Sequence, residues 1–325
     1  MSGEKVLSFE TQLLLFAAVI PCMVAVFGTA IFCQLQRRIP IHWLRWYSFS
    51  SLVVWLIGFS VSRSRSSVFA YAESNSVHKL PWFVLFAVLV GVLCSNRKDF
   101  EQQSWSDKQK LNSGIWCLIR CTLFCVAAWW LIPKGKGWED TADWQPFWLL
   151  MAGLGTAWNG WSMAAVRERG VASGKQSEPK DLGDKALGWQ LWIGIGAILG
   201  VAGLAGLSLA SLAECLITIA SIAIGISSMI HFGSRKLLAK LGELGVAAAI
   251  SGGTVLAMAY PSSSVPKFIY IAMMLVPVLV SLADELAYRL GCKPLLRLLC
   301  SFVVTAILVG GMLGWALINE PVEQW

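Results

Sequence analysis

Between Lys185 and Arg235 the chain carries one formal charge, Glu214, in a stretch built almost wholly of Gly, Ala, Leu, Ile and Ser. An α-helix rises 1.5 Å per residue, so a hydrocarbon core of ~30 Å takes about 20 residues. Residues 186–232 are about twice that length. They read as two membrane helices joined by a tight turn near 207–211.

One such run could be the buried helix of a large soluble protein, but here the pattern recurs along the chain. Hydrophobic residues make up 56% of the 325 and charged residues only 14%, where a soluble domain carries about a quarter charged residues. Ten helices can be placed, at about 13–35, 43–62, 80–94, 114–132, 145–166, 187–207, 212–232, 244–260, 268–288 and 295–318. The expected fold is all-α, a polytopic integral membrane protein of about ten transmembrane helices.

Charge orients this set. With the amino terminus outside, the odd-numbered loops hold 18 of the 26 Lys and Arg residues and the opposite side holds 7, with Arg120 left inside a helix. That asymmetry is a positive-inside signal. Arg63 and Arg65 are discordant, and Glu320 and Glu323 end the chain on the outside. The net charge of +7 is spread over loops rather than gathered into a patch. It matches anionic headgroups on the cytoplasmic side of the bilayer and not nucleic acid. Trp43, Trp46, Trp82, Trp129, Trp130, Trp144 and Trp315 fall near expected helix ends, as an aromatic belt requires. The opening MSGEKVLSFETQ lacks the basic region of a signal peptide, so the first apolar run is expected to stay as a helix. The expected location is a cell membrane, of the bacterial inner-membrane type, with both termini outside.

Residues 167–186 mix both charge signs with Gly, Ser and Pro and read as a cytoplasmic linker. It separates helices one to five (1–166) from helices six to ten (187–325). Each half has an odd number of helices, so the second enters the membrane inverted relative to the first, as in inverted-repeat transporters.

Charged residues inside helices are costly in lipid and mark candidate sites. Arg120 lies about 9 Å below the cytoplasmic edge of helix four. It can snorkel to headgroups, pair with Asp284 or Glu285 of helix nine, or meet an anionic solute. Asn159 of helix five lies at similar depth, and a cluster of Arg120, Asn159 and Asp284 is the expected site. Glu214, near the outer end of helix seven, either reaches water or binds a proton or cation. Pro21 and Pro277, and the Gly252–Gly253 pair, are candidate helix breaks that expose backbone for ligands.

Small-residue faces at Gly196/Gly200, extended by Gly203 and Gly206, and at Gly310/Gly314 predict close helix packing, within the chain or onto a membrane partner. None is a phosphate loop. Cys117, Cys121 and Cys125 form a stripe without His or Met partners, and the nine cysteines contain no CxxC pair. Neither a metal nor a cofactor is expected. There is no HExxH, no acidic pyrophosphate motif and too little histidine for a bis-histidine haem, which argues against an enzyme. The expected function is a secondary transporter or permease for a small polar or anionic solute, proton-coupled through Glu214 or Asp284. The alternatives are a non-catalytic membrane anchor or scaffold subunit, and a lipid-modifying membrane enzyme.

Overall fold

A computed structural model of the chain describes residues 11, 14–38, 49–63, 76–95, 107–132, 145–177, 189–233, 236–260 and 265–319. Among them there is no strand. The α-helices are α1 (Ile20–Arg38), α2 (Phe49–Arg63), α3 (Leu80–Ser95), α4 (Asp107–Leu131), α5 (Gln145–Ser177), α6 (Trp189–Gly206), α7 (Ala210–Gly233), α8 (Lys236–Ala259), α9 (Lys267–Met274), α10 (Val276–Arg289) and α11 (Pro294–Asn319). The long apolar stretch is α6 and α7, joined by a turn at 207–209 in which the Leu209 N–H donates to the Ala205 carbonyl at 2.6 Å.

Three segments are long and apolar enough to cross a membrane, Leu14–Phe32, Ala210–Met229 and Leu295–Asn319. A fourth is made by Lys267–Met274 and Val276–Arg289 together, bent by 43° at their junction. Shorter apolar helices are Ser51–Ser62, Val77–Gly91, Leu118–Leu131, Gln190–Gly206 and Glu243–Ala259. Ten complete spans are therefore not delineated among the described residues. Helix α5 carries an apolar exposed face, with Phe147, Leu150, Leu154, Trp158 and Trp161 recurring every three or four residues. Leu299, Phe302, Val303 and Ile307 do the same on α11. Such continuous apolar surface is rare on soluble monomers and is the ordinary outside of a lipid-embedded bundle.

Helix α8 is the centre. Every residue from Gly245 to Ala259 is buried, and the helix packs against α3, α5, α6, α7 and α9. Its composition, VAAAISGGTVLAMA, explains why: small side chains let several helices approach one axis at once. Gly252 meets Leu80, Phe83 and Leu131, and Gly253 meets Leu216. The expectation of a helix break at Gly252 and Gly253 is overturned, because α8 runs unbroken through both. Glycine here supplies room for neighbours, and a helix enclosed on all sides keeps its hydrogen bonds whatever its propensity.

The α6 glycines pack in the same way. Gly196 faces Thr305, Gly200 faces Val309 and Met273, and Gly203 faces Leu313. Thr305, Val309 and Leu313 are spaced by four, so one ridge of α11 lies along the glycine face of α6. Gly310, Gly311 and Gly314 have nothing within 4 Å of a β-carbon position and point away from the bundle.

Three expected boundaries shift, and the first is α4, which begins at Asp107 rather than at 114. Helix α5 continues to Ser177, so the first part of the expected linker is helix. It contains no proline before Pro179, and helices end ahead of proline. Helix α8 begins at Lys236, eight residues before the expected start. The helix neighbours also do not repeat in two halves. Helix α1 lies along α7, but α2 and α6, which a five-helix repeat would pair in the same way, are not close neighbours among the described residues.

Candidate functional site

The site is built where a broken helix meets the polar side of α8. Pro277 is at the start of α10 and has no N–H to give to the turn before it. The chain accordingly passes from α9 to α10 through Leu275, whose N–H donates to the carbonyls of Ile271 and Ala272 at 3.1 Å each. The break is held on its α6 side by Tyr270, fully buried, whose hydroxyl donates to the Leu204 carbonyl at 3.4 Å.

Gly155 of α5 sits beside this break. A methyl group there would lie 2.9 Å from Ser251 Oγ and 3.0 Å from Met274 Sδ, so α5, α8 and the end of α9 converge at one point. One turn along α5, Asn159 is 2% exposed and its Nδ2 donates to Ser251 Oγ at 3.3 Å. Asn159 Oδ1 is buried and has no hydrogen-bond donor. One turn along α8 from Ser251, Thr254 is fully buried and its Oγ1 likewise has no partner. Thr156, one turn before Asn159, donates to the Ala152 carbonyl at 2.7 Å and keeps its lone pairs. Two oxygens without donors, one turn from a helix break, are costly in an apolar interior unless something else satisfies them.

The expected cluster of Arg120, Asn159 and Asp284 does not form. Arg120 is on α4, half-buried, one turn before the fully buried Phe124. Its Nε has no hydrogen-bond partner, and no carboxylate pairs with it among the described residues. Helix α5 packs against both α4 and α10 and separates them. Asp284 is held instead by Arg297 of α11, whose Nη2 and Nε donate to one carboxylate oxygen at 2.7 and 3.0 Å. Arg297 also stacks over the Tyr288 ring, 4.9 Å from its centre. Arg297 is thus a buried partner and not one of the loop charges.

Glu285 faces the outside of α10 and pairs with Arg289 one turn on, at 2.7 Å. Glu214 is half-buried at the beginning of α7, where its backbone carbonyl accepts from Thr218 Oγ1 at 3.1 Å. Thr218 in turn approaches Ser62 Oγ of α2 at 3.4 Å. Pro21 stands two residues into α1, directly after a π-helical turn, Leu14–Val19. Pro21 cannot donate to the Ala17 carbonyl, and the backbone before it widens.

Sequence reasoning missed a second buried polar pair. Gln190 of α6, fully buried, donates from Nε2 to Glu243 Oε1 of α8 at 3.0 Å, and Glu243 is 4% exposed. The signal was available in KLLAKLGELG, an amphipathic turn that leads straight into the apolar run. Among the described residues no group of His, Cys, Asp and Glu is arranged to hold a metal ion. Cys22, Cys125, Cys215, Cys292 and Cys300 are thiols. Cys117 of the expected cysteine stripe has its side chain outside the described residues, as do most of the loop charges expected to be cytoplasmic. No family model, curated protein or solved structure matches this chain.

Proposed function

We propose that this chain is a polytopic membrane protein of about ten spans that acts as a secondary transporter or permease for a small polar solute. The observation that carries the reading is the α9–α10 break, which meets α5 and Ser251 at Gly155, with Asn159 and Thr254 one turn away along α5 and α8 and each carrying a buried oxygen that lacks a donor. Discontinuous helices with polar groups at mid-depth are how transporters build substrate sites inside lipid. The site moves from the expected Arg120 cluster to the contact of α5, α8 and α9.

In this reading the bend at Leu275 is the moving part, because the helix neighbours do not repeat in two halves that could rock. Arg120, without a carboxylate partner among the described residues, serves the anionic headgroups of the cytoplasmic leaflet. Charge asymmetry supports an inner-membrane setting with both termini outside. Cysteines introduced at Lys5 and Lys175 should then react with an impermeant reagent from opposite sides; reaction from one side overturns the topology.

The function is tested by thermal stabilisation of the purified protein over a panel of metabolites and lipids, repeated with Asn159→Ala and Arg120→Ala. A solute is expected whose stabilisation is lost in Asn159→Ala and kept in Arg120→Ala. If no compound depends on Asn159, this site is not a solute site.

One observation favours a second reading, a non-catalytic membrane subunit. The exposed face of α11 carries Gly310, Gly311 and Gly314 with nothing against them, which is the form of a helix-docking surface. A stable complex recovered by mild-detergent purification, and lost on Gly311→Leu, would support that reading against transport.

A further inference from the structure

We infer that the oxygens at the α5–α8–α9 contact form a binding site for a monovalent alkali cation. The inference deepens the transport reading by naming its coupling ion, and binding can be measured without transport.

At this contact Asn159 Oδ1, which can only accept, has no donor, and Thr254 Oγ1, which can also accept, has no partner. Ser251 Oγ, already accepting from Asn159 Nδ2, has a second lone pair. Thr156 Oγ1 spends its hydrogen on the Ala152 carbonyl and so presents only lone pairs. Hard, neutral oxygens suit a hard cation rather than a soft metal.

Charge limits the ion to one unit. Asn159, Ser251, Thr254 and Thr156 are all neutral. The described buried carboxylates are engaged elsewhere, Asp284 with Arg297 and Glu243 with Gln190. A divalent ion would therefore enter an apolar interior with nothing to offset it. An anion is disfavoured because it would meet Asn159 Oδ1, an oxygen that can only accept.

The test compares thermal unfolding of the purified protein in NaCl, KCl and choline chloride at equal ionic strength. At saturation one alkali salt should raise Tm by about 2–3 °C over choline. Thr254→Val replaces an oxygen that has no partner, so the variant should fold with a choline Tm near the parent value and lose the alkali effect. Ser251→Ala should lose it too, and Thr254→Ser, which keeps the oxygen, should retain it. The inference is overturned if no saturable alkali-specific rise occurs, or if the rise persists in both Thr254→Val and Ser251→Ala. Alkali stabilisation without any Asn159-dependent solute leaves the cation site standing and sinks the transport reading; a solute without alkali stabilisation does the reverse.

Discussion

Asp284 and Arg297 face each other across the α10–α11 hairpin, 2.7 Å apart, with each side chain only 4% exposed. The turn between the helices sets this up. Gly291 takes φ = +70°, the Gly291 N–H donates to the Tyr288 carbonyl, and the Cys292 N–H donates to the Ala287 carbonyl. That is the glycine-terminated helix end in which the chain reverses at once. Pro294 then opens α11 where its missing N–H costs nothing, and the next turn returns Arg297 to the level of Asp284.

Breaking this pair should cost far more than deleting it. Arg297→Ala leaves a buried carboxylate without its cation, a change worth about 3–5 kcal/mol. Asp284→Leu combined with Arg297→Met removes both charges and should recover most of that loss. Thermal unfolding of the single and double variants in detergent checks it. A double variant no more stable than Arg297→Ala would mean that the pair is not the source of the loss.

Gly225 of α7 predicts a different failure. A β-carbon there would come 2.6 Å from the Cys22 carbonyl oxygen and 3.1 Å from the Val26 nitrogen, both backbone atoms of α1. Backbone cannot turn aside as a flexible side chain can, so Gly225→Ala should lose about 1–3 kcal/mol through overpacking. Gly311→Ala, on the open face of α11, should leave Tm unchanged or slightly raised. Equal effects at the two positions would show that α1 and α7 are not in backbone contact.

Why some of this was legible in the sequence follows from what each signal reports. Apolar length located α6 and α7 and the turn between them, because so long an apolar run has to fold back on itself to stay buried. The glycine spacing of Gly196, Gly200 and Gly203 announced a close-packed face, and α11 fills it. The site was less legible. Arg120 drew attention as a charge inside an apolar helix, yet depth along a helix does not say which neighbour a side chain meets, and α5 stands between Arg120 and α10. Asp284 was noticed without its partner, because Arg297 looked like a loop charge until the Gly291 turn folded it back. Ser251 and Thr254 carry no sequence signal at all. Serine and threonine are ordinary in membrane helices, and only the arrival of Asn159 and the end of α9 at Ser251 makes this stretch of α8 a candidate.

Gly291 should tolerate substitution in a graded order. At φ = +70° a side chain with a β-carbon is strained by about 1–2 kcal/mol, less for asparagine. Nothing lies within 4 Å of its β-carbon position, so the loss is conformational and not steric. The expected order of Tm is glycine, then Gly291→Asn, then Gly291→Ala, then Gly291→Val. The same Tm for Gly291→Asn and Gly291→Val would remove the helix-end argument.

Pro277 separates packing from function at the break. Pro277→Ala restores an N–H that can donate to the preceding turn, so the 43° bend at Leu275 should relax toward a straight helix. Val276 and Pro277 are buried, and alanine also leaves a gap, so the two effects on Tm oppose each other. Ligand dependence is the cleaner readout. A straighter helix withdraws the end of α9 from Asn159 and Ser251, and stabilisation by the solute and by the alkali salt should both fall, with the choline Tm moving by only a few degrees. A spin-label pair placed at Phe268 and Leu286, both exposed, should show the end-to-end distance lengthening in the variant. A longer distance with ligand stabilisation intact would detach the break from the site and leave the bend as packing alone.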